Sequence, residues 1–358
     1  GSCPIMSATK PELIFVYEPE DACRTRLVAD GYLPQHAEEI SSYLAQSTDI
    51  APELPEIGEA CAARGVAFVP VALDDAAATI AARRPGEALV WTISDGIAYF
   101  RGGAGPALAR LAGLGTIAAD DSLFALCQDK FRSGAVLRAL GLPVPEAGLA
   151  RDGRFIVQPP HSASGLFVKP NRLGAKIGIW KDSHAAGAAD ALTLSRRIHA
   201  AYRDDAVAQP YVPGRNVRAS FLGVEPGAGA EALGVYFVDS GADFQTMEDS
   251  MALYGDTGAA AKAEGLYAEP QLVAVADSQP GADRAIRAIA ATLIDGLGLR
   301  DVFSMDLRVE ADDTVHLIEF EVCPGLPCFD FRAYCRLNWG MSLAEAIAAT
   351  AAARFGTR

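Results

Sequence analysis

The sequence predicts a mixed α/β protein, with a parallel-sheet domain followed by α+β domains. Short apolar strands alternate with Ala-rich helices in the first third of the chain, a pattern typical of a parallel sheet with crossover helices. Later, two strands of alternating polarity and a short turn indicate a β-hairpin that carries three acids. A length of 358 residues exceeds what one simple core usually holds, so two or three domains are expected.

The composition is that of a globular protein with an acidic surface. Half of the residues are apolar and 21% are charged, which favours a folded chain over a disordered one. The formal net charge of −14 disfavours nonspecific binding to nucleic acid or to an anionic membrane, because both need a basic surface. An acidic protein that handles nucleotides must therefore concentrate its cations locally.

Cysteine usage and hydropathy indicate a reducing compartment. The seven cysteines form no CxxC pair, and the sequence shows no signal peptide and no apolar run near 18 residues. We therefore expect free thiols in a cytoplasmic protein. Cys323 and Cys328 follow the hairpin, and we expect both to be small packing residues rather than metal ligands.

The first third of the chain supplies the predicted parallel sheet. Strands are expected at 13–17, 67–73, 88–93 and 115–118, and helices near 55–64, 74–83 and 105–114. Glu18 and Asp95 each follow a strand. Because open α/β sheets bind ligands at the carboxyl ends of their strands, both acids are candidate substrate contacts. A helix cap or a solvated loop explains either one equally well.

Two lysines and a glycine-rich segment mark the middle third. Apolar residues keep helical spacing from 120 to 140, and Lys130 lies within this predicted helix. The apolar strand at 165–170 carries Lys169, and burying an unpartnered ammonium costs several kcal/mol, so we expect an anion beside it. In the NRLGAKIGI segment that follows, Gly174 and Gly178 free the backbone, whose amides can cradle phosphate oxygens. A plain glycine hairpin has the same appearance.

The remainder of the chain combines strands and helices around a polar segment. Strands are expected at 155–157, 206–209, 216–222 and 235–238, and helices at 185–202, 282–297 and 342–354. Residues 247–264 are polar and glycine-rich enough to form a mobile lid.

The hairpin near residues 301–326 carries the strongest chemical signal. Strict alternation places Ser304, Asp306 and Arg308 on one face of its first strand, and Val315, Leu317, Glu319 and Glu321 on one face of its second. Folding about the turn sets Asp306 opposite Glu319, with cross-strand side chains about 5 Å apart. Such carboxylates repel unless a divalent cation binds them, and hard oxygen ligands favour Mg²⁺. A surface hairpin with solvated acids is the alternative.

Five motifs together resemble the ATP-grasp superfamily, and within it the D-alanine:D-alanine ligase-like branch. They appear in the expected order between about residues 129 and 347: QDKFRSGAVLRALGLPVP, LFVKPNRLGAKIG, AQPYVPGRNV, FSMDLRV and LIEFEVCPGLP. The resemblance implies an α/β (α+β) ATP-grasp fold with an N-terminal Rossmann-like domain at 1–120. A central subdomain at 121–213 and a C-terminal subdomain at 214–358, which carries the metal site, would hold the nucleotide between them.

The resemblance also assigns roles to particular residues. The positions that match the family's ATP-binding residues are Lys130, Lys169, Arg172, Gly174, Gly178, Gln209, Pro210, Tyr211, Val212 and Asn216. Within this set, the Pro210 carbonyl and the Val212 amide would pair with adenine, and Asn216 replaces the usual ribose glutamate. The metal positions are Asp306, Glu319 and Glu321, for two Mg²⁺ ions or for Mn²⁺ in their place.

Departures from the family concern the reacting groups. Ser304 stands where D-alanine ligases carry an arginine that stabilises the oxyanion, and Arg308 on the same strand face could reach that space. We assign Ser304, Arg308 and Lys176 to catalysis. The candidate substrate contacts are Glu18, Gly325, Phe329, Asp330 and Arg332.

The leading hypothesis is therefore an ATP-dependent carboxylate–amine ligase that joins an amino acid or small carboxylate to an amine through an acylphosphate. D-alanyl-D-alanine synthesis, intramolecular ring closure and transfer to a thiol are the alternatives within the superfamily. A nucleotide-binding regulator without catalytic activity is the alternative outside it. We expect small-molecule partners, and the resemblance allows a homodimer.

Overall fold

The computed structural model describes residues 9–47, 50–94, 101–174, 176–238, 272–327 and 329–356. The first domain contains a parallel sheet of order β2-β1-β3-β4, flanked by helices, as the alternation predicted. Its strands are β1 (Glu12–Tyr17), β2 (Ala67–Ala72), β3 (Ala88–Thr92) and β4 (Gly115–Thr116). Its helices are α1 (Glu20–Ala29), α2 (Pro34–Ser47), α3 (Leu54–Ala63), α4 (Ala76–Ala81) and α5 (Ala104–Ala112).

The middle of the chain forms an antiparallel sheet of order β6-β5-β9-β7-β8. Two short helices, α6 (Asp121–Cys127) and α7 (Lys130–Ala139), precede it. The strands are β5 (Gly148–Arg151), β6 (Arg154–Val157), β7 (Leu166–Pro170), β8 (His184–Ala185) and β9 (Ala206–Pro210), and α8 (Ala188–Tyr202) packs on the sheet.

The helix predicted over residues 120–140 is wrong in one respect, since the chain breaks between α6 and α7. Asp129 takes an extended conformation there, and its Oδ1 accepts a hydrogen bond from the Arg132 amide at 2.9 Å. An aspartate at this position satisfies an amide that the helix itself leaves without a partner. Lys130 is therefore the first residue of α7 and does not lie in the middle of a helix.

The last part of the chain forms an antiparallel sheet of order β12-β11-β10-β13-β14. Its strands are β10 (Arg215–Leu222), β11 (Gly234–Val238), β12 (Leu272–Ala274), β13 (Val302–Val309) and β14 (Val315–Glu321). The helices are α9 (Val275–Ser278), α10 (Pro280–Leu297), α11 (Phe329–Trp339) and α12 (Leu343–Gly356). Helix α10 shares a core with the sheet, where the Phe221 and Phe303 rings stack at 4.8 Å.

A β-bulge in the predicted hairpin corrects the expected side-chain pattern. Asp306 pairs with Glu319, as predicted, but Leu307 pairs with Leu317, so Ile318 is the extra residue on β14. A bulge of this kind reverses the alternation of faces beyond it. Val315 and Leu317 therefore lie in the buried core, opposite to the face that presents Glu319 and Glu321, whereas we expected all four on one face.

Helix α12 packs on the parallel sheet that the first third of the chain forms. Its Ile347 and Ala348 belong to one buried cluster with Leu13 on β1 and Trp91 on β3, although α12 follows the last sheet in sequence. The first domain is therefore completed by the final helix. Among the helices in the described part of the chain, none combines the length and hydropathy required to cross a membrane.

A pair of glycine substitutions tests the close approach of α5 to β3. A Cβ at Gly105 would lie 2.1 Å from Thr92 Oγ1, whereas one at Gly58 in α3 would meet nothing within 4 Å. We expect Gly105→Ala to lower the free energy of unfolding by about 1–3 kcal/mol because of overpacking. Gly58→Ala should raise it by about 0.5–1 kcal/mol, since alanine favours a helix. Urea unfolding followed by circular dichroism measures both, and equal signs would contradict the packing described here.

Candidate active site

The candidate active site lies on the face of the C-terminal sheet that is turned away from its core. Side chains on β10, β13 and β14 form three rows there, each across paired positions: Asn216, Arg308 and His316; Arg218, Asp306 and Glu319; Ser220, Ser304 and Glu321. The intervening residues, such as Met305 and Leu307, lie in the buried core. The alternation of each strand thus lines up polar groups on one surface.

Three carboxylates meet in the second and third rows. Oxygens of Asp306, Glu319 and Glu321 all lie within 4.8 Å of one another. Burial raises the pKa of Asp306 and of Glu321 above the usual range, and the negative charge of Glu319 adds to the effect for both. Although burial opposes it, the nearby Lys169 and Lys130 hold the pKa of Glu319 below its usual range. The cluster is therefore arranged to bind positive charge.

Two lysines from the central subdomain reach this cluster. Lys169 on β7 and Lys130 at the start of α7 each place Nζ 3.9 Å from Glu319 Oε2. Lys169 is only 6% exposed, and burial lowers the pKa of its ammonium. The anion expected beside Lys169 is therefore Glu319. These contacts bring two subdomains together around one site.

Arg218 on β10 is a site residue that the sequence analysis missed. Its Nε lies 3.3 Å from Asp306 Oδ1, and its Nη1 donates to Ser304 Oγ at 3.0 Å and lies 3.5 Å from Glu321 Oε2. The available signal was the polar alternation of Asn216, Arg218 and Ser220 along β10, which matches that of β13.

Residues 209–212 lie next to the first row, where Tyr211 contacts Arg308. The Tyr211 amide donates to the Gly165 carbonyl at 3.1 Å, and the His184 ring stacks on the Tyr211 ring at 4.0 Å. The Arg308 guanidinium lies 5.3 Å from the centre of the same ring, and Nη1 donates to the Gly214 carbonyl at 3.3 Å. The structure therefore places Arg308 at this end of the site rather than beside Ser304.

Comparison with known proteins adds sequence and structural relatives. No family model matches the chain. A D-alanine–D-alanine ligase of Frankia casuarinae is 32% identical over 227 residues, which cover 61% of this chain and 53% of that protein. The chain spans about half the length of this relative and of a D-alanine–D-alanine ligase of Caulobacter vibrioides.

Two solved structures share the architecture. D-alanyl-alanine synthetase A of Vibrio cholerae superposes with a TM-score of 0.59 at 14% identity, over 96% of this chain and 98% of that chain. The D-alanine–D-alanine ligase of Bacillus anthracis, solved with ATP, has a TM-score of 0.56 at 13% identity, over 96% and 98%. In sequence this chain is similar to D-alanine–D-alanine ligases, and its fold is that of the two solved ligases. The fold class predicted from the sequence is thereby confirmed.

Five of the residues that the ATP-grasp motifs indicated line one cleft: Lys130, Arg172, Gly174, Glu319 and Glu321. Burial raises the pKa of Asp306, and the charges of Arg218 and Lys176 oppose this effect, so Lys176 also lies within electrostatic reach of the acids.

Arg172, in the segment that the resemblance assigns to phosphate binding, has protein partners of its own. Its guanidinium lies 3.3 Å from Asp204, 3.5 Å from Asp129 and 3.7 Å from Asp205, and its amide donates to Asp204 at 2.7 Å. Burial raises the pKa of Asp204, and Arg172 opposes this shift. The arginine thus ties the loop to the start of α7 and the end of α8.

Glu18 follows β1 as expected, but it is only 1% exposed. Guanidinium groups of Arg26 and Arg101 each lie 3.4 Å from its Oε1, and Ser94 donates to its Oε2 at 3.3 Å. Burial raises the pKa of Glu18, and the two arginines oppose this. The carboxylate therefore binds protein cations in this structure.

The other candidate substrate contacts lie after β14. Gly325 is partly exposed in the loop before α11, and Arg332 on α11 donates from Nε to the Pro327 carbonyl at 2.9 Å and from Nη2 to Glu53. The side chains of Phe329 and Asp330 lie outside the described residues, as do Asp95 and the lid expected at 247–264.

Two arginines that share Asp129 test the role of Arg172. Arg172→Ala removes the guanidinium that contacts the buried Asp204, while Asp129 and Asp205 keep Arg132 and Arg151 as partners, so we expect the free energy of unfolding to fall by about 2–3 kcal/mol. Arg132 contacts the same Asp129 but its side chain is 74% exposed, so Arg132→Ala should cost less than about 1 kcal/mol. Chemical denaturation measures both. A large loss of nucleotide affinity for Arg172→Ala at unchanged stability would instead identify Arg172 as a direct ATP ligand.

Proposed function

We propose that the chain is an ATP-dependent carboxylate–amine ligase. The observation that carries the proposal is the facing arrangement of three carboxylates on the C-terminal sheet and two lysines from the central subdomain. Phosphoryl transfer depends mainly on positioning and on neutralising charge, and opposed acids and lysines provide both. The proposed division remains 1–120, 121–213 and 214–358, with α12 packing on the first domain.

The carboxylate cluster fits Mg²⁺. Asp306, Glu319 and Glu321 offer hard oxygen ligands within 4.8 Å of one another, which is the ligand chemistry that Mg²⁺ prefers. Bound Mg²⁺, or Mn²⁺ in its place, would neutralise charge on the transferred phosphoryl group. Arg218 and Lys169 lie beside the carboxylates, at 3.3 Å from Asp306 and 3.9 Å from Glu319.

ATP is the proposed nucleotide, with its base near residues 209–212 and its phosphates between the lysines and the acids. The Tyr211 amide is already bonded within the protein, which leaves the Pro210 carbonyl and the Val212 amide as the proposed adenine partners. Asn216 and Arg308, in the row nearest Tyr211, are proposed to lie along the ribose. The ATP-bound ligase of Bacillus anthracis, which shares the fold, supports ATP as the nucleotide.

The proposed reaction has two steps. A carboxylate oxygen attacks the γ-phosphorus of ATP, and the bond between this phosphorus and the bridging β,γ oxygen breaks. The products of this step are ADP and an acylphosphate. An amine nitrogen then attacks the carbonyl carbon, whose π electrons move onto oxygen. Collapse of this oxyanion breaks the bond to phosphate, and the proton lost by the amine leaves with phosphate. Lys130 and Lys169 neutralise the phosphates in both steps.

The proposed substrates are a small carboxylate and a small amine. Relatives named D-alanine–D-alanine ligase favour D-alanine in both roles as the second candidate. However, Glu18 is buried and paired with two arginines, so it does not present a free carboxylate to a substrate ammonium. We therefore propose a first substrate that is recognised differently from an ordinary α-amino acid.

An activity assay tests the proposed function. The protein is incubated with ATP, Mg²⁺ and a panel of amino acids, small carboxylates and amines, and ADP and product mass are measured. Lys169→Ala should lower turnover by at least about 100-fold, since losing one preorganised charge costs that much. Lys181→Ala, an exposed lysine outside the cleft, is the matched control and should leave turnover unchanged. ATP binding without ADP formation for any pair would favour a regulator over a ligase.

Metal binding provides an independent test that needs no substrate. Loss of a group that merely supports a metal ligand costs about 10–100-fold in affinity, so Glu319→Gln should weaken Mn²⁺ binding by at least about tenfold. Electron paramagnetic resonance of Mn²⁺ measures this directly. Glu310→Gln is the control, because Glu310 lies on the same hairpin but pairs with His316 at 2.8 Å. Equal affinity of Glu319→Gln and wild type would exclude the proposed metal site.

A further inference from the structure

The order of the three rows indicates where the nucleotide, the phosphates and the acyl group would lie along the site. The row of Asn216 and Arg308 adjoins Tyr211, and the row of Asp306 and Glu319 faces the two lysines. Ser220, Ser304 and Glu321 form the next row, one step further from Tyr211. If nucleotide and phosphates follow the first two rows, the acyl group that receives phosphate lies at the third.

Arg218 is the cation that the structure brings to this third row. It belongs to the second row by strand pairing, but its guanidinium extends diagonally, so that Nη1 donates to Ser304 Oγ at 3.0 Å and lies 3.5 Å from Glu321. Its Nε remains 3.3 Å from Asp306. The guanidinium therefore spans the boundary between the phosphate row and the acyl row.

The other cations of the site contact different groups. Arg308 lies over the Tyr211 ring and donates to the Gly214 carbonyl, at the opposite end of the face. Lys130 and Lys169 approach Glu319 from the central subdomain. Ser304 is fully buried and short, so it leaves room for the guanidinium of Arg218 against its own hydroxyl.

We propose that Arg218 is a catalytic residue that stabilises the oxyanion formed when the amine attacks the acylphosphate. This inference rests on the proposed ligase function and assigns one of its steps. The guanidinium is planar, permanently charged and a multiple donor, and it is held by Ser304 and two carboxylates before the charge develops. A preorganised donor of this kind is worth about 100–1,000-fold in turnover.

Separating the two half-reactions tests this assignment. Positional isotope exchange in ATP labelled with ¹⁸O at the β,γ-bridge, with carboxylate and no amine, reports acylphosphate formation. Amide formation is measured with the pair of highest turnover from the panel. For Arg218→Met, we expect amide formation to fall by about 100-fold or more while isotope exchange changes little. Mn²⁺ binding should not weaken, because a positive neighbour of the acids has been removed.

A rescue variant separates this role from a structural one. Ser304→Arg alone places a second guanidinium beside Arg218 and should be inactive, whereas Arg218→Ser combined with Ser304→Arg returns one guanidinium to the same space from the neighbouring strand. We expect the double variant to form amide at least about tenfold faster than Arg218→Met does.

The following results would contradict the assignment of Arg218 or the ligase proposal. Equal loss of isotope exchange and amide formation in Arg218→Met, or full amide formation without Arg218, overturns the assignment. Failure of the folded double variant to recover activity also counts against it. If the wild type shows neither isotope exchange nor amide formation with any pair, the ligase proposal fails, and the role of Arg218 falls with it.

Discussion

The site depends on a charge balance between two subdomains. Asp306, Glu319 and Glu321 lie too close together to remain ionised without cations, and Lys130, Lys169 and Arg218 approach them from both sides. The two lysines lie on β7 and at the start of α7, so the carboxylate cluster also draws these elements onto the C-terminal sheet. In a chain of net charge −14, the basic groups proposed to bind an anionic nucleotide are thus gathered in one place.

A single extra residue makes this arrangement possible. Without the bulge at Ile318, regular alternation from Val315 would place Glu319 and Glu321 on the same face as the core residues Val315 and Leu317. The bulge shifts the phase, so that the first half of β14 closes the core and the second half presents carboxylates to the cleft. Phe320 remains in the core between the two acids and anchors them.

The sequence predicted the described strands other than β5, β8 and β12, together with the hairpin pairing of Asp306 with Glu319 and an anion for Lys169, because these follow from local periodicity and from the cost of burying charge. It did not predict the bulge or the break before Lys130, since both depend on pairing and capping across the fold. Helices α1 and α2 were not predicted from the sequence either. The contacts of Arg218 were not predicted because they are made with residues on neighbouring strands. The pairing of Glu18 with Arg26 and Arg101 was not predicted because it depends on tertiary contacts.

Tertiary contacts also link the two ends of the cleft. Leu173 and Ile177 of the glycine-rich loop share a buried cluster with Cys23 and Leu27 of α1, and Tyr32 donates to the Tyr202 carbonyl at 3.3 Å. Helix α1 begins directly after Glu18, so the loop that follows Lys169 packs on the same helix that leads away from the proposed substrate end. A displacement of α1 must therefore shift the loop or expose this apolar cluster, at a cost that grows with the apolar area uncovered. Because packed cores resist continuous deformation, we expect the glycine-rich loop and α1 to move together.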